Sequence, residues 1–190
     1  VRVFGIDPGS ERTGYGCIDA TGSRHRLVIC GAVSVPAAAP FADRLFAFQR
    51  RIAELLGRYR PESVAIESIF FAANVRSALK LGHARGVAML AAAEAGLPVW
   101  EYSPAEIKRA VVGYGRAEKP QVQQMVKLLL GLDAVPSTHE EDDALAVAHA
   151  LRAALPGTTF AVERAESFRR EPAYEAIEPD VGPLAPIEVL

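Results

Sequence analysis

Acidic side chains at two strand ends and at the start of a late helix are the residues of this chain best suited to chemistry. Asp7 ends the apolar run 3–6, and Glu67 ends the apolar run 64–66. If these two strands are parallel neighbours, their carboxylates meet at one edge of the sheet, where open α/β sheets place their sites. A further acidic group, His-Glu-Glu-Asp-Asp at 139–143, begins the last predicted helix.

The spacing within that late helix allows two acidic side chains to share one face. At roughly 100° per residue, Glu140 and Asp143 are ~60° apart, and His139 and Asp143 are ~40° apart. Capping roles compete, because Ser137 with Glu140 has the spacing of a capping box. The same spacing relates Thr138 to Glu141, and it favours a structural role for Glu141. For Asp142, beside the helix start, the alternative to a functional role is an interaction with the helix dipole.

A cluster of carboxylates needs a positive counter-charge. Two unit charges 4 Å apart repel by about 4 kcal/mol at an effective dielectric of 20, while a domain is stable by only ~5–15 kcal/mol. Neither Lys nor Arg is adjacent in sequence to these acids. Divalent cations are the natural partners, because Mg²⁺ prefers oxygen ligands and two ions ~4 Å apart can hydrolyse a phosphodiester. The alternative for Asp7 is a turn-forming role before Pro8-Gly9.

The elements that would position these acids alternate in type along the chain. Segments 15–20 and 27–35 are predicted to form a hairpin around Thr21-Gly22-Ser23. A helix over 41–59 carries one apolar stripe, and Ser103 with Glu106 has capping-box spacing at the start of another helix. The predicted order β-β-β-α-β-α-β-α-α-α favours an α/β fold, a mixed sheet with helices on both faces. The stripe consists of Leu45, Phe48, Ile52, Leu55 and Leu56.

Length and composition predict one globular domain with an appendage. The chain has 190 residues, of which 50% are hydrophobic and 23% charged, as in soluble globular proteins. We expect a domain over 1–157 and an acidic, Pro-containing, disordered tail over 158–190. No apolar run is long enough to span a membrane, and no signal peptide is expected. Cys17 and Cys30 have no metal-binding spacing, so both are predicted to be buried free thiols in a reducing cytoplasm.

Positive charge is concentrated in the middle of the chain. The net charge is −2, but residues 76–127 hold eight bases against four acids, whereas residues 161–190 hold seven acids against three bases. This distribution suits a local phosphate-binding surface, although ordinary solvated helix faces are an equal alternative.

The helix predicted from residue 75 to 95 is apolar or small on nearly every side. Leu79, Gly82, Gly86 and Met89 form one seam whose two glycines allow another helix to approach closely. A helix buried all round needs two partners. One is the sheet, and we expect the other to be the same helix of a second subunit in a twofold homodimer.

At these residues the chain resembles the RuvC family of Holliday junction resolvases. The resemblance implies an RNase H-like fold with a five-stranded sheet, a homodimer, and paired nicking of opposite strands of a four-way DNA junction with Mg²⁺ or Mn²⁺, two ions per active site. It also implies that the protein acts together with a RuvA–RuvB branch-migration complex. It rests on Gly5-Ile6-Asp7-Pro8-Gly9-Ser10 with Thr13-Gly14-Tyr15-Gly16, and on the stretches 65–70, 77–87, 111–113, 117–119 and 143–146.

The resemblance assigns metal binding and catalysis to four positions. Asp7, Glu67 and Asp143 match three of them directly. The fourth position, three residues before the last, is typically Asp or His in the family, and here it is Glu140. Glu140 is the favoured ligand, with His139 or Asp142 as alternates.

The resemblance also assigns DNA contacts. Phe70 occupies the position of the aromatic that contacts the junction, where stacking is worth ~1–3 kcal/mol per base. Lys108 and Lys119 match positions linked to phosphate contact and, for Lys119, to catalysis. Arg76, Lys80 and Arg116 are further predicted DNA contacts. The alternatives are core packing for the Phe70 ring and ordinary solvated helix faces for the cations.

Two other functions remain open at this point. One is an actin-like or sugar-kinase-type nucleotide hydrolase, which shares the core but needs a second such domain. The other is a junction-binding protein with impaired catalysis, which becomes possible if the fourth metal position is defective.

Overall fold

A five-stranded mixed sheet forms the centre of the protein in a computed structural model that describes residues 1–22, 24–68, 75–134 and 144–146. The strands are β1 (Arg2–Asp7), β2 (Arg12–Thr21), β3 (Arg24–Ser34), β4 (Ser63–Glu67) and β5 (Val99–Tyr102). The helices are α1 (Phe41–Tyr59), α2 (Val75–Glu94), α3 (Pro104–Val112) and α4 (Lys119–Leu130). The strand order is β3-β2-β1-β4-β5, with the β1–β2–β3 pairings antiparallel and the β1–β4–β5 pairings parallel. The predicted mixed sheet is confirmed.

Helices cover both faces of this sheet. Because side chains alternate along a strand, Phe4 and Ile6 of β1 point to a first face, where they pack with residues of α1 and α2. Val3 points to the second face, where it shares a buried cluster with residues of α3, α4 and the segment 144–146. Each face therefore has its own hydrophobic core.

The apolar stripe of α1 packs against the first face with one change from the sequence prediction. Phe48 and Ile52 are buried as predicted, together with Leu55 and Leu56. Leu45 is only half-buried, and the neighbouring Arg44 is buried. The stripe thus begins with a guanidinium rather than with a leucine.

The predicted capping box at the start of α3 is confirmed. The Ser103 side chain accepts a hydrogen bond from the Glu106 backbone N–H, and the Glu106 carboxylate accepts one from the Ser103 backbone N–H. Hydrogen bonds from Ser103 lower the pKa of the Glu106 carboxyl. Since Ser103 directly follows β5, this cap fixes α3 at the end of the sheet where β1 and β4 also end.

The two thiols differ in burial. Cys17 is buried, and burial raises its pKa to about 12. Cys30 is only half-buried, and neither cysteine is in a disulfide. Among the described residues, no helix is both long enough and apolar enough to cross a membrane.

The helical segment 144–146 lies directly on β2. Leu145 is fully buried, and a methyl group built on Gly16 would lie 2.7 Å from Leu145 Cδ2 and 3.1 Å from its backbone nitrogen. Gly16 therefore supplies the space in which this segment approaches the sheet.

We expect Gly16→Ala to destabilise the protein and Gly57→Ala to stabilise it. The new methyl at residue 16 overlaps Leu145, which costs ~1–3 kcal/mol of the free energy of unfolding. The matched substitution in α1 meets no atom within 4 Å, and it gains ~0.5–1 kcal/mol because alanine favours the helix. Urea unfolding of the two variants measures both effects. Equal stability of wild type and Gly16→Ala would contradict this packing.

Candidate active site

The parallel pairing of β1 with β4 places Asp7 beside Glu67. Gly5 pairs with Ala65 and Ile6 with Ile66, so the next residues along both strands are the two acids. Neighbouring strands lie ~4.8 Å apart. Two carboxylates from distant parts of the sequence therefore meet at the ends of adjacent strands, as the sequence predicted.

Both carboxylates belong to the second face of the sheet. Ile6 and Ile66 pack in the first-face core, and alternation turns the residues after them to the opposite face. That face holds Ala65 and Leu145 in its buried cluster. Asp7 and Glu67 are half-buried, so they border both the core beneath the segment 144–146 and the solvent.

A tight turn follows Asp7 and fixes where β1 ends. A methyl group built on Gly9 would lie 1.8 Å from the carbonyl oxygen of Arg12, so only glycine fits this position. The buried Thr13 hydroxyl donates to the Gly9 carbonyl at 3.2 Å and accepts from the Gly9 N–H at 3.4 Å. The turn closes on itself and holds the end of β1 against the start of β2.

The basic residues after α3 approach the same end of the sheet. Tyr102 pairs with Glu67, and the helix that starts after it contains Ala105. A methyl group on Gly115 would lie 3.1 Å from the Ala105 carbonyl oxygen, so the chain beyond α3 folds back onto the first turn of that helix. The exposed Arg116 lies next to Gly115 in this returning segment.

The two predicted lysines of this region flank that returning segment. Lys119 is the first residue of α4 and is exposed, and Lys108 is half-buried in α3. The exposed Arg76 and the half-buried Lys80 lie in the first turns of α2, the helix that covers the first face. The predicted cations are thus divided between both sides of the carboxylate pair.

The structure does not describe the remaining predicted site residues. Phe70, His139, Glu140, Asp142 and Asp143 lie outside the described ranges. Within those ranges, no group of three or more His, Cys, Asp or Glu side chains is placed to hold a metal ion. The described part of the site is therefore the pair formed by Asp7 and Glu67, whose oxygen donors suit Mg²⁺ or Mn²⁺.

Comparison with known proteins identifies the family. A family model described as crossover junction endodeoxyribonuclease RuvC matches residues 3–150. The chain belongs to the RuvC family. A protein of that name from Syntrophotalea carbinolica is 55% identical over 150 residues, which cover 78% of this chain and 91% of the relative. Another from Pelotomaculum thermopropionicum is 50% identical over 146 residues, covering 77% and 89% of the two chains.

Solved structures of RuvC and related resolvases share this architecture. The structure of T. thermophilus RuvC in complex with Holliday junction substrate has a TM-score of 0.76 and 39% identity, and the match covers 78% of this chain and 91% of that chain. The yeast mitochondrial Holliday junction resolvase Ydc2 has a TM-score of 0.55 at 13% identity, a likeness of fold alone. The RNase H-like class implied by the sequence resemblance is confirmed.

Sequence reasoning missed one buried charge that contacts the turn after Asp7. Arg44 is only 5% exposed, and its guanidinium donates a hydrogen bond to the Ser10 carbonyl in the turn after Asp7. Its distance of four residues from Phe48, at the head of an apolar stripe, was the signal that could have predicted its burial.

We expect Asp7→Asn to stabilise the protein when metal ions are absent. The substitution removes one of two adjacent negative charges, whose repulsion lies between about 1 kcal/mol in water and about 4 kcal/mol at an effective dielectric of 20. Thermal unfolding in EDTA would measure the gain. Addition of millimolar Mg²⁺ should then raise the melting temperature of the wild type more than that of the variant. A variant less stable than the wild type in EDTA would mean that Asp7 mainly stabilises the turn.

Proposed function

We propose that this protein resolves four-way DNA junctions by metal-dependent hydrolysis of one phosphodiester on each of two opposite strands. The observation that carries the proposal is the adjacency of Asp7 and Glu67 at the ends of β1 and β4. The family match over residues 3–150 includes both acids and also Asp143. The relatives are named crossover junction endodeoxyribonucleases, and a structural relative was solved with a Holliday junction.

We propose two Mg²⁺ or Mn²⁺ ions per active site, held by Asp7, Glu67, Asp143 and Glu140. Ala144 is fully buried and directly precedes Leu145, which lies in the second-face core with Ala65, and consecutive Cα atoms are ~3.8 Å apart. This short link supports Asp143 as the third ligand. His139 and Asp142 are the alternates for the fourth. When bound, such ions activate the attacking water and stabilise the leaving oxygen.

The carboxylates orient the ions, and basic and aromatic residues bind the junction. Lys119, near the returning segment 113–118, is proposed to stabilise the negative charge that develops on the phosphate. Phe70, three residues beyond the end of β4, is proposed to stack on a junction base. Phosphate contacts are assigned to Lys108, Arg116, Arg76 and Lys80.

The decisive experiment is cleavage of a labelled synthetic four-way junction with Mg²⁺ or Mn²⁺. We expect paired nicks on opposite strands from the wild type. Asp7→Asn should reduce the cleavage rate by at least about a hundredfold, since loss of a key electrostatic group at a reaction centre costs ~10²–10³-fold, while junction binding persists. Asp133→Asn, on the loop after α4, is the matched control and should leave the rate unchanged. Binding without cleavage by the wild type would indicate a junction-binding protein instead.

Substitutions at the fourth position test the ligand assignment in the same assay. Glu140→Ala should abolish most of the activity, and Glu140→Asp should retain it, because the family typically places Asp or His there. His139→Ala and Asp142→Asn should then retain near wild-type rates. Loss of activity in either of these variants, with Glu140→Ala active, would move the fourth ligand to that residue.

We also propose that the protein is a homodimer whose subunits meet along α2. Among the described residues, a groove of about 500 Å³ runs between α1 and α2. It is lined by Leu79, Gly82 and Gly86 of the predicted seam, and both glycines have open space above them. Met89, the fourth predicted residue, instead packs against the first-face core. The other lining residues are Leu45, Ala78, His83, Val87 and Leu90.

A charge placed in this groove tests the dimer. Leu79 is 60% exposed, so Leu79→Glu should leave folding intact and convert the dimer to a monomer in sedimentation velocity. Leu128 of α4 is 70% exposed and lies outside the groove, which makes Leu128→Glu the matched control. A wild-type monomer, or a dimer unaffected by Leu79→Glu, would refute this interface.

The wider assignments follow from the family and from the sequence. We propose that the nuclease domain spans 1–157, that 158–190 is a separate tail, and that the protein acts in the cytoplasm with a RuvA–RuvB branch-migration complex. The family match that ends at residue 150 supports this domain boundary.

A further inference from the structure

We propose that Arg44 is a positioning residue that holds the turn after Asp7 and thereby sets the geometry of the metal site. This inference rests on the proposed metal-dependent cleavage. Arg44 belongs to α1, on the face of the sheet opposite the carboxylates, so we assign it no contact with the metal. It acts through the backbone of the turn that connects β1 to β2.

The burial of Arg44 needs an explanation, because a buried charge without a charged partner is costly. The residue is 5% exposed. Within the described residues it forms no ion pair, and its Nε has no hydrogen-bond partner. Packing of α1 alone would be served equally well by leucine or methionine. The guanidinium, unlike an apolar side chain, can donate hydrogen bonds.

The guanidinium forms a hydrogen bond to the turn after Asp7. Its Nη2 donates to the carbonyl oxygen of Ser10, and a hydrogen bond from a charged donor is stronger than a neutral one. Ser10 follows Gly9, whose backbone is bound by the Thr13 hydroxyl. The turn is therefore held from within by Thr13 and from α1 by Arg44.

Phe41 holds the guanidinium in place and connects it to α2. The Arg44 Cζ lies 5.7 Å from the centroid of the Phe41 ring, and the Lys80 Nζ lies 5.9 Å from the same centroid. His83 packs edge-on against this ring at 5.8 Å. Two cations and a ring form a cation–π cluster that links the turn after β1 to the helix after β4. The strands that carry Asp7 and Glu67 are therefore connected not only by their pairing in the sheet but also through the contacts of Arg44, Phe41 and Lys80.

A small displacement of this turn matters because metal ligands must be placed to within about 0.5 Å. Residues that orient a ligand without touching the metal change metal affinity or activity by ~10–100-fold when they are replaced. Arg44 fits that class because the turn atoms that Thr13 and Arg44 bind belong to Gly9 and Ser10, which are two and three residues after Asp7.

The test is Mn²⁺ affinity, measured by electron paramagnetic resonance of the full-length protein without DNA. Arg44→Met keeps the length of the side chain and removes the charge, and we expect it to weaken Mn²⁺ binding about tenfold. The Mg²⁺ concentration for half-maximal junction cleavage should rise in parallel, while junction affinity in EDTA changes less than about threefold. Arg50→Met, an exposed arginine of the same helix, should match the wild type.

Arg44→Lys and Phe41→Leu keep the inference falsifiable if Arg44→Met does not fold. Lysine keeps the charge but not the fork geometry, and we expect about a threefold loss of Mn²⁺ affinity from each variant. Folded Arg44 variants with unchanged Mn²⁺ affinity and metal requirement, even with a lower melting temperature, would overturn this inference but leave the proposed metal site standing. A wild type that binds no Mn²⁺ would overturn both this inference and the proposed metal site.

Discussion

The parallel pairing of β1 with β4 is the constraint on which the rest of this structure depends. Val3, Phe4 and Ile6 of β1 and Val64 and Ile66 of β4 are fully buried, so both strands contribute to cores on both faces of the sheet. A shift of β4 by one residue would turn Val64 and Ile66 from the first face to the second, and Ala65 from the second to the first. The hydrophobic core therefore also fixes the distance between the two carboxylates that end these strands.

Small residues on the second face decide how closely a helix can approach that pair. Gly5 of β1 lies between Gly16 of β2 and Ala65 of β4, and together they form a flat surface just before Asp7 and Glu67. Leu145 approaches Gly16 so closely that a methyl group there would overlap it, and Leu145 shares a buried cluster with Ala65. A larger side chain in this row would push the segment 144–146 away from the sheet. The same glycines weaken the strands in which they stand, so their presence trades strand stability for the proximity that the proposed metal site needs.

The first face supports the site mechanically and electrostatically. α1 and α2 cover it, and the buried Arg44 extends from α1 to the turn after Asp7. Although the whole chain has a net charge of −2, the predicted DNA contacts and Arg44 place positive charge around the carboxylate edge. We propose that this local field attracts a phosphate backbone, because exposed charges farther away than about 8–10 Å are screened at physiological salt.

The sequence by itself determined the local features of this protein. The strand that ends at Asp7 and the capping box of Ser103 are each encoded within a few neighbouring residues, and the structure confirms them. The family match likewise depends on short motifs that can be read along the chain. Only the tertiary structure decided that Arg44 is buried while Leu45 is half-buried, and that Met89 faces the core rather than the groove. The reason is physical: a capping box forms between residues three apart, whereas the partner of Arg44 lies thirty-four residues away and exists only once α1 has packed on the sheet.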